Sequence, residues 1–116
     1  MVYRLTASIN MNKEIALNFT NKLNKLAEIR DSIIKDLREN LMKMGEQDCF
    51  FAAGKPSVPI YYIGEDNAEG IVHIDKIKAD SDGIIKFHDV DSDEWHWLSY
   101  LDDDAIYTLI VYIDWK

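Results

Sequence analysis

From Ile15 to Met44 the apolar residues fall every three or four positions: Ile15, Phe19, Leu23, Leu26, Ile29, Ile33, Leu37, Leu41 and Met44. Their mean spacing is about 3.6, the period of an α-helix, which places all of them on one face. Neither glycine nor proline occurs before Gly45, whereas seven occur from Gly45 to Gly83. The chain therefore divides into a helical first part and a turn-rich second part. Asn10 or Asn12 suits the N-cap of the helix, and Gly45 stands where a left-handed C-terminal cap belongs. Asp31 with Lys35, and Glu39 with Lys43, form favourable pairs one turn apart. The stripe keeps the straight-helix period rather than the 3.5 of a heptad seam, so a long coiled coil is not expected. A helix of about 33 residues would extend roughly 50 Å, more than the width of a domain this size. It must either break, with Thr20-Asn21 the candidate point, or pack its overhang on another copy.

Upstream, residues 2–9 alternate Tyr3, Leu5, Ala7 and Ile9 with Arg4, Thr6 and Ser8, which reads as a short strand or as an upstream extension of the helix. Met11-Asn12-Lys13-Glu14 also has the form of a protein start, so residues 1–10 read as an extension. Downstream, Val58–Ile63 is rich in strand formers, and Pro59 confines it to an edge or a strand start. A loop is expected over 64–70. Residues 71–78 and 84–88 flank the turn segment Asp80-Ser81-Asp82-Gly83 and predict a hairpin. Trp95–Tyr100 is a further strand candidate. Over 105–113, Ile106, Leu109, Ile110 and Ile113 share a helical face behind Asp102, Asp103 and Asp104, which favours a short helix over a buried strand. The expected fold is α+β: a long N-terminal helix, whole or broken, packed on a small antiparallel sheet and closed by a short C-terminal helix, all in one acidic domain over 1–116.

At 116 residues the chain is long enough to bury a core without covalent staples. Its single cysteine, Cys49, lies in the apolar run Cys49-Phe50-Phe51-Ala52-Ala53 and reads as a small buried hydrophobe rather than a reactive thiol. No run is long and apolar enough to cross a membrane. The first ten residues have no long apolar stretch and no cleavage pattern, so a cytoplasmic protein without membrane contact is expected.

The net charge of −8 is unevenly placed. Through Gly45 there are eight Lys/Arg and five Asp/Glu, a net of +3; from Glu46 onward there are five and sixteen, a net of −11. An acidic second part is unsuited to touching nucleic acid directly, because phosphate binding is driven by Lys and Arg. It favours another protein, a basic one included, as partner.

The densest acidic stretch holds Asp80, Asp82, Asp89, Asp91, Asp93, Glu94, Asp102, Asp103 and Asp104, with only Lys86 in opposition. Asp89-Val90-Asp91-Ser92-Asp93 starts like a calcium loop, but Glu94 stands where glycine is needed and Tyr100 where a bidentate glutamate is needed. Asp80, Asp82, Asp89, Asp91, Asp93 and Glu94, with Trp95 and Trp97 as buried anchors, are the candidate partner-binding residues. The same carboxylates also suit turns, helix starts and a solvated face. His73, His88 and His96 invite a metal reading, but the close Cys/His pairs of a zinc site are missing. No phosphate loop, nucleophile elbow or HExxH occurs, and no family pattern is recognisable. No catalytic, cofactor or metal residue is therefore assigned. Three readings follow: a non-catalytic protein-interaction or regulatory domain, self-associating through its helix; an acidic inhibitor that mimics nucleic acid before a basic protein; and a small enzyme without a sequence motif.

Overall fold

The computed structural model describes residues 13–52, 54–64 and 66–116. The alternation over 2–9 and the Asn10/Asn12 cap lie outside these residues. The elements in chain order are helix α1 (Lys13–Met44), strands β1 (Gln47–Cys49), β2 (Val58–Ile63), β3 (Glu69–Ala79), β4 (Ile85–Asp89) and β5 (Glu94–Trp97), a 3₁₀ turn (Leu98–Tyr100), helix α2 (Asp103–Val111) and strand β6 (Ile113–Asp114). This is the expected α+β class. The chain forms two compact units, one ending at Leu37 and the other running from Arg38 to Lys116. The boundary falls inside α1.

In the first unit α1 is continuous through Thr20-Asn21, the candidate point for a break. Thr20 turns its hydroxyl back to the Ala16 carbonyl at 2.9 Å, which satisfies it within the helix. In the second unit the helix ends as the sequence requires. Gly45 adopts φ 83°, and its N–H donates to the Leu41 carbonyl at 2.8 Å. That left-handed conformation is easy only for a residue without Cβ.

The sheet is antiparallel, in the order β5-β4-β3-β1-β6, with β2 also paired to β3. The eleven-residue β3 is its axis. One edge of β3 pairs with β4; the other pairs first with β2, from Glu69 to Ile74, and then with β1 at Lys76 and Ile77. Where the partner changes, the register with β4 slips between Ile74 and Lys76, leaving Asp75 as the extra residue of a bulge. On one face Val58, Ile60, Val72, Ile74, Ile77, Ile85, Phe87 and Ile113 are buried, together with Ala105, Ile106 and Leu109 of α2, which packs against β2. Each large side chain so buried contributes about 1.5–3 kcal/mol.

β2 is an edge strand, one of the two placements that Pro59 allows, and Pro59 is also its second residue. Its free edge is further blunted, because Asp102 Oδ1 accepts the Ile63 N–H at 2.9 Å. Across from it, the Tyr62 ring lies over Gly70, where any Cβ would come within 2.9 Å of the ring. The β3–β4 turn is the expected one. Asp80 Oδ1 accepts the N–H groups of Asp82 and Ile84, both at 3.0 Å, and Arg38 Nε donates to the Gly83 carbonyl at 2.8 Å.

Three expectations needed adjustment. β3 begins at Glu69, inside the segment read as loop. The Trp95–Tyr100 strand stops at Trp97, because Leu98 and Leu101 are both buried and a 3₁₀ turn, closed by Leu101 N–H to the Leu98 carbonyl at 3.0 Å, points both inward. α2 forms over 103–111, but Ile113 leaves it to enter β6 beside β1. β1 and β6 are too short, at three and two residues, to leave a period in the sequence.

Among the described residues, Gln47 is the polar residue buried in the core. Its Nε2 donates to the carbonyls of Met44 and Gly45 at 3.4 and 3.3 Å, and its Oε1 accepts the Lys116 N–H at 2.7 Å. One side chain thus ties the helix end to the chain terminus. Gln47→Ala should lower unfolding stability by about 2 kcal/mol, since it leaves buried groups without partners. Denaturant titration measures this, and a loss within error would remove Gln47 from that role.

Candidate functional site

The acidic residues singled out by the sequence do not form one patch. β4 separates them into two turns, roughly 16 Å apart at 3.3 Å per residue. Asp80 and Asp82 occupy the β3–β4 turn. Asp91 and Asp93 occupy the β4–β5 turn, between Asp89 at the end of β4 and Glu94 at the start of β5. Asp102 precedes α2, with Asp103 and Asp104 in its first turn.

Asp80 serves its own turn. The Ile84 N–H, then Lys86 and the Asp82 N–H, hold its carboxyl below the usual carboxylate range, and Lys86 Nζ stands 3.3 Å from Oδ2. In the β4–β5 turn each aspartate faces a different histidine. Asp89 accepts from the Asp91 N–H and the Ser92 hydroxyl, both at 3.0 Å, and lies 3.7 Å from His96 Nε2. Asp91 Oδ2 is 2.8 Å from His73 Nδ1. Asp93, at φ 53°, places Oδ1 2.8 Å from His88 Nε2. Asp tolerates this left-handed conformation better than most residues.

His88 is the most constrained of the three. Its other nitrogen, Nδ1, is 2.6 Å from Oδ1 of the bulged Asp75. A neutral imidazole has one donor and one acceptor, so two carboxylates on its two nitrogens are satisfied only by the doubly protonated ring. The hydrogen bond to Asp75 accordingly pushes the His88 pKa up, against the opposing effect of burial and with Asp93 adding to it. The His88 side chain is 16% exposed and Asp75 25%, while Asp93 is 91% exposed. The inner bond is therefore the stronger of the two, since solvent screens the outer.

Cross-strand partners share a face. His88 pairs with Trp95 and Lys86 with Trp97, so both tryptophans lie on the sheet face opposite the core. Lys78 Nζ sits 4.0 Å from the centre of the Trp95 ring, and the His88 ring is 5.3 Å away from it. Trp95 is half-buried by these neighbours, and Trp97 is exposed. His96 pairs with Phe87, its ring 5.7 Å away, and so lies on the core side of the sheet rather than the wet side. His88 and His96 thus face opposite ways. Among the described residues, no group of three His, Cys, Asp or Glu side chains is placed to hold a metal. Cys49 is buried, and desolvation, with Asp75 and Asp48 nearby, pushes its thiol up to about 12. It is a protonated thiol and a poor nucleophile.

The apolar stripe of α1 behaves differently along its length. Leu37 and Leu41 are buried. Within the first unit, Ile15, Phe19, Leu26 and Ile29 are 56%, 64%, 61% and 57% exposed, and Leu23 is 37% exposed. These five side chains follow one another along one helical face as a continuous apolar strip. Lys22 and Arg30 project from the same face by their helical positions, and long cationic side chains can lay their stems along such a strip while keeping the charge wet.

The sequence brought out the carboxylates but not their partners. Asp75 was missed because its role depends on the bulge, and the pairing of each histidine depends on cross-strand register. Protein-family models, curated proteins and solved structures yield no match to this chain.

The raised His88 pKa predicts a pH dependence with a definite sign. Stability from this group is complete below its unfolded value near 6.5 and is lost as pH rises through the higher folded value. The urea midpoint of wild type should exceed that of His88→Gln most at the acid end of a series from about pH 5.5 to 8.5. A difference that does not change with pH would show that no proton is linked to this contact.

Proposed function

We propose that the protein is a non-catalytic interaction domain that self-associates through the first unit of α1. The observation that carries this reading is the exposure of Ile15, Phe19, Leu23, Leu26 and Ile29 along one helical face. A two-fold interface requires a patch complementary to itself, and four of these residues have that property when taken with Arg30 and the half-buried Ile34 in place of Ile29. Ile15, Phe19, Leu23, Leu26, Arg30 and Ile34 follow one another at intervals of 4, 4, 3, 4 and 4 residues. The series reads the same in both directions. An antiparallel second copy centred between Leu23 and Leu26 sets Leu23 against Leu26 of that copy and Ile15 against its Ile34. It sets Phe19 against the second copy's Arg30, where a guanidinium can lie on the ring. Ala16 and Ala27 border the strip and leave room for close approach.

The reading as an acidic mimic of nucleic acid draws less support from the geometry. Asp89, Asp91 and Asp93 each face a histidine of their own chain, and Asp80 serves its own turn. Such carboxylates are already engaged by groups of their own chain.

Sedimentation equilibrium over a dilution series tests the proposal. The wild type should show a reversible two-copy mass. Leu26→Glu, at an exposed position that leaves the core untouched, should weaken association at least about tenfold, with unchanged circular dichroism. A wild type that stays monomeric at every concentration, or a Leu26→Glu variant that associates as well as wild type, would overturn it.

A further inference from the structure

His73 and His88 meet carboxylates in different ways. His73 meets one, with Asp91 Oδ2 at 2.8 Å from Nδ1. A neutral ring can still donate its one proton there, so that contact survives loss of charge. His88 meets two, with Asp75 Oδ1 at 2.6 Å from Nδ1 and Asp93 Oδ1 at 2.8 Å from Nε2. A neutral ring has one N–H and one bare nitrogen, and a carboxylate has no proton to give the bare one. Loss of the second proton must therefore break one of the two contacts. At the broken one, a nitrogen lone pair is left facing a carboxylate oxygen.

The surroundings decide which contact breaks. Asp75 is half-buried within β3, whereas Asp93 is exposed in the turn. Water can replace the histidine as donor to Asp93 more readily than to Asp75, so the remaining proton stays on Nδ1. Asp93 also sits at φ 53°, a conformation that costs any residue with a Cβ when nothing holds it. The preceding residues have anchors of their own, since the Asp91 N–H and the Ser92 hydroxyl both donate to Asp89. Other charges share the face of His88. Lys76 is its cross-strand partner, Lys86 lies two residues along β4, and Lys78 sits over the Trp95 ring beside it. These ammonium groups favour release of the ring proton, while Asp75 first, and Asp93 after it, favour its retention. The balance lies with the carboxylates. The ring is charged below a folded value higher than 6.5 and neutral once pH has risen through that value.

We propose that His88 is a proton-operated latch on the β4–β5 turn. Doubly protonated, it bonds Asp75 and Asp93 at once and closes the turn onto β4. Neutral, it keeps its Nδ1 proton on Asp75 and releases Asp93. The bulge supplies the inner bond and the turn supplies the outer, so the fold itself sets which one is given up. Release frees Asp93 to relax from its left-handed backbone and leaves its carboxylate uncompensated between Asp91 and Glu94. The turn is then both looser and more negative. The latch lies wholly within the second unit and stands apart from self-association through α1.

Nuclear magnetic resonance of the ¹⁵N-labelled full chain, from about pH 5.5 to 8.5, tests the latch. Both ring nitrogens of His88 should be protonated at the acid end, and only Nδ1 at the other. The backbone amides of Ser92, Asp93 and Glu94 should move with the same midpoint as that ring. An asparagine tolerates the same left-handed backbone, and its side-chain amide can accept from a charged ring or donate to a bare nitrogen. In Asp93→Asn the pH-dependent shifts of these amides should therefore be lost, although His88 still titrates. The wild-type ring and amide titrations carry the test even where that substitution disturbs folding. A neutral ring protonated on Nε2, turn amides that stay still or follow another midpoint, or an Asp93→Asn turn that moves as far as wild type would each overturn the proposal.

Discussion

The change of partners along β3 is the constraint on which the second unit depends. A single strand of eleven residues carries β4 on one edge and two separate strands on the other. A flat ladder could not do this without a gap, and the bulge at Asp75 is where the gap falls. Several features follow from that one irregularity. Ile74 and Ile77 both point into the core although three positions separate them, which strict alternation forbids. Asp75 is released from the alternation and reaches His88.

The charge of the unit is managed in the same local way. A net of −8 on 116 residues is a strong self-repulsion, yet the turn that concentrates it is compact. Asp89, Asp91 and Asp93 each lie within 4 Å of an imidazole nitrogen of the same chain. Asp80 is held by backbone N–H groups and Lys86. These contacts satisfy carboxylates in tight turns, where several would otherwise face each other. The histidines are therefore the polar partners of the β4–β5 turn. His88 is bound on both nitrogens and shielded, and its hydrogen bond to Asp75 raises its pKa on folding.

How far the sequence could be read depends on the range of each interaction. Signals carried by neighbours in the chain came through: the 3.6 period of α1, its stop at Gly45, the edge or strand-start placement that Pro59 allows, the Asp80–Gly83 turn, and α2 behind its aspartates. Elements defined by a distant partner did not. β1 and β6 exist because Asp48 pairs with both Lys76 and Asp114, and no local pattern records that. The candidate site shows the same division. The carboxylates are dense enough to be seen in the sequence, whereas Asp75 and the histidine partners depend on a register slip of one residue. Trp95 and Trp97 were seen, but the lysines they share a face with became visible only through strand pairing.

The exposed strip on α1 and the acidity of the rest of the chain bear on each other. Helix propensity alone places no demand on Phe19, Leu23 or Leu26, which an isolated helix could replace with polar residues at little cost. Their retention on a solvent-facing surface works against solubility, since such strips collapse onto any apolar surface. A chain with a net charge of −8 resists that collapse through mutual repulsion between copies. The charge lies mainly from Glu46 onward, where the net is −11, while the part through Gly45 carries +3. Repulsion is therefore greatest between the acidic parts and weakest along the helix.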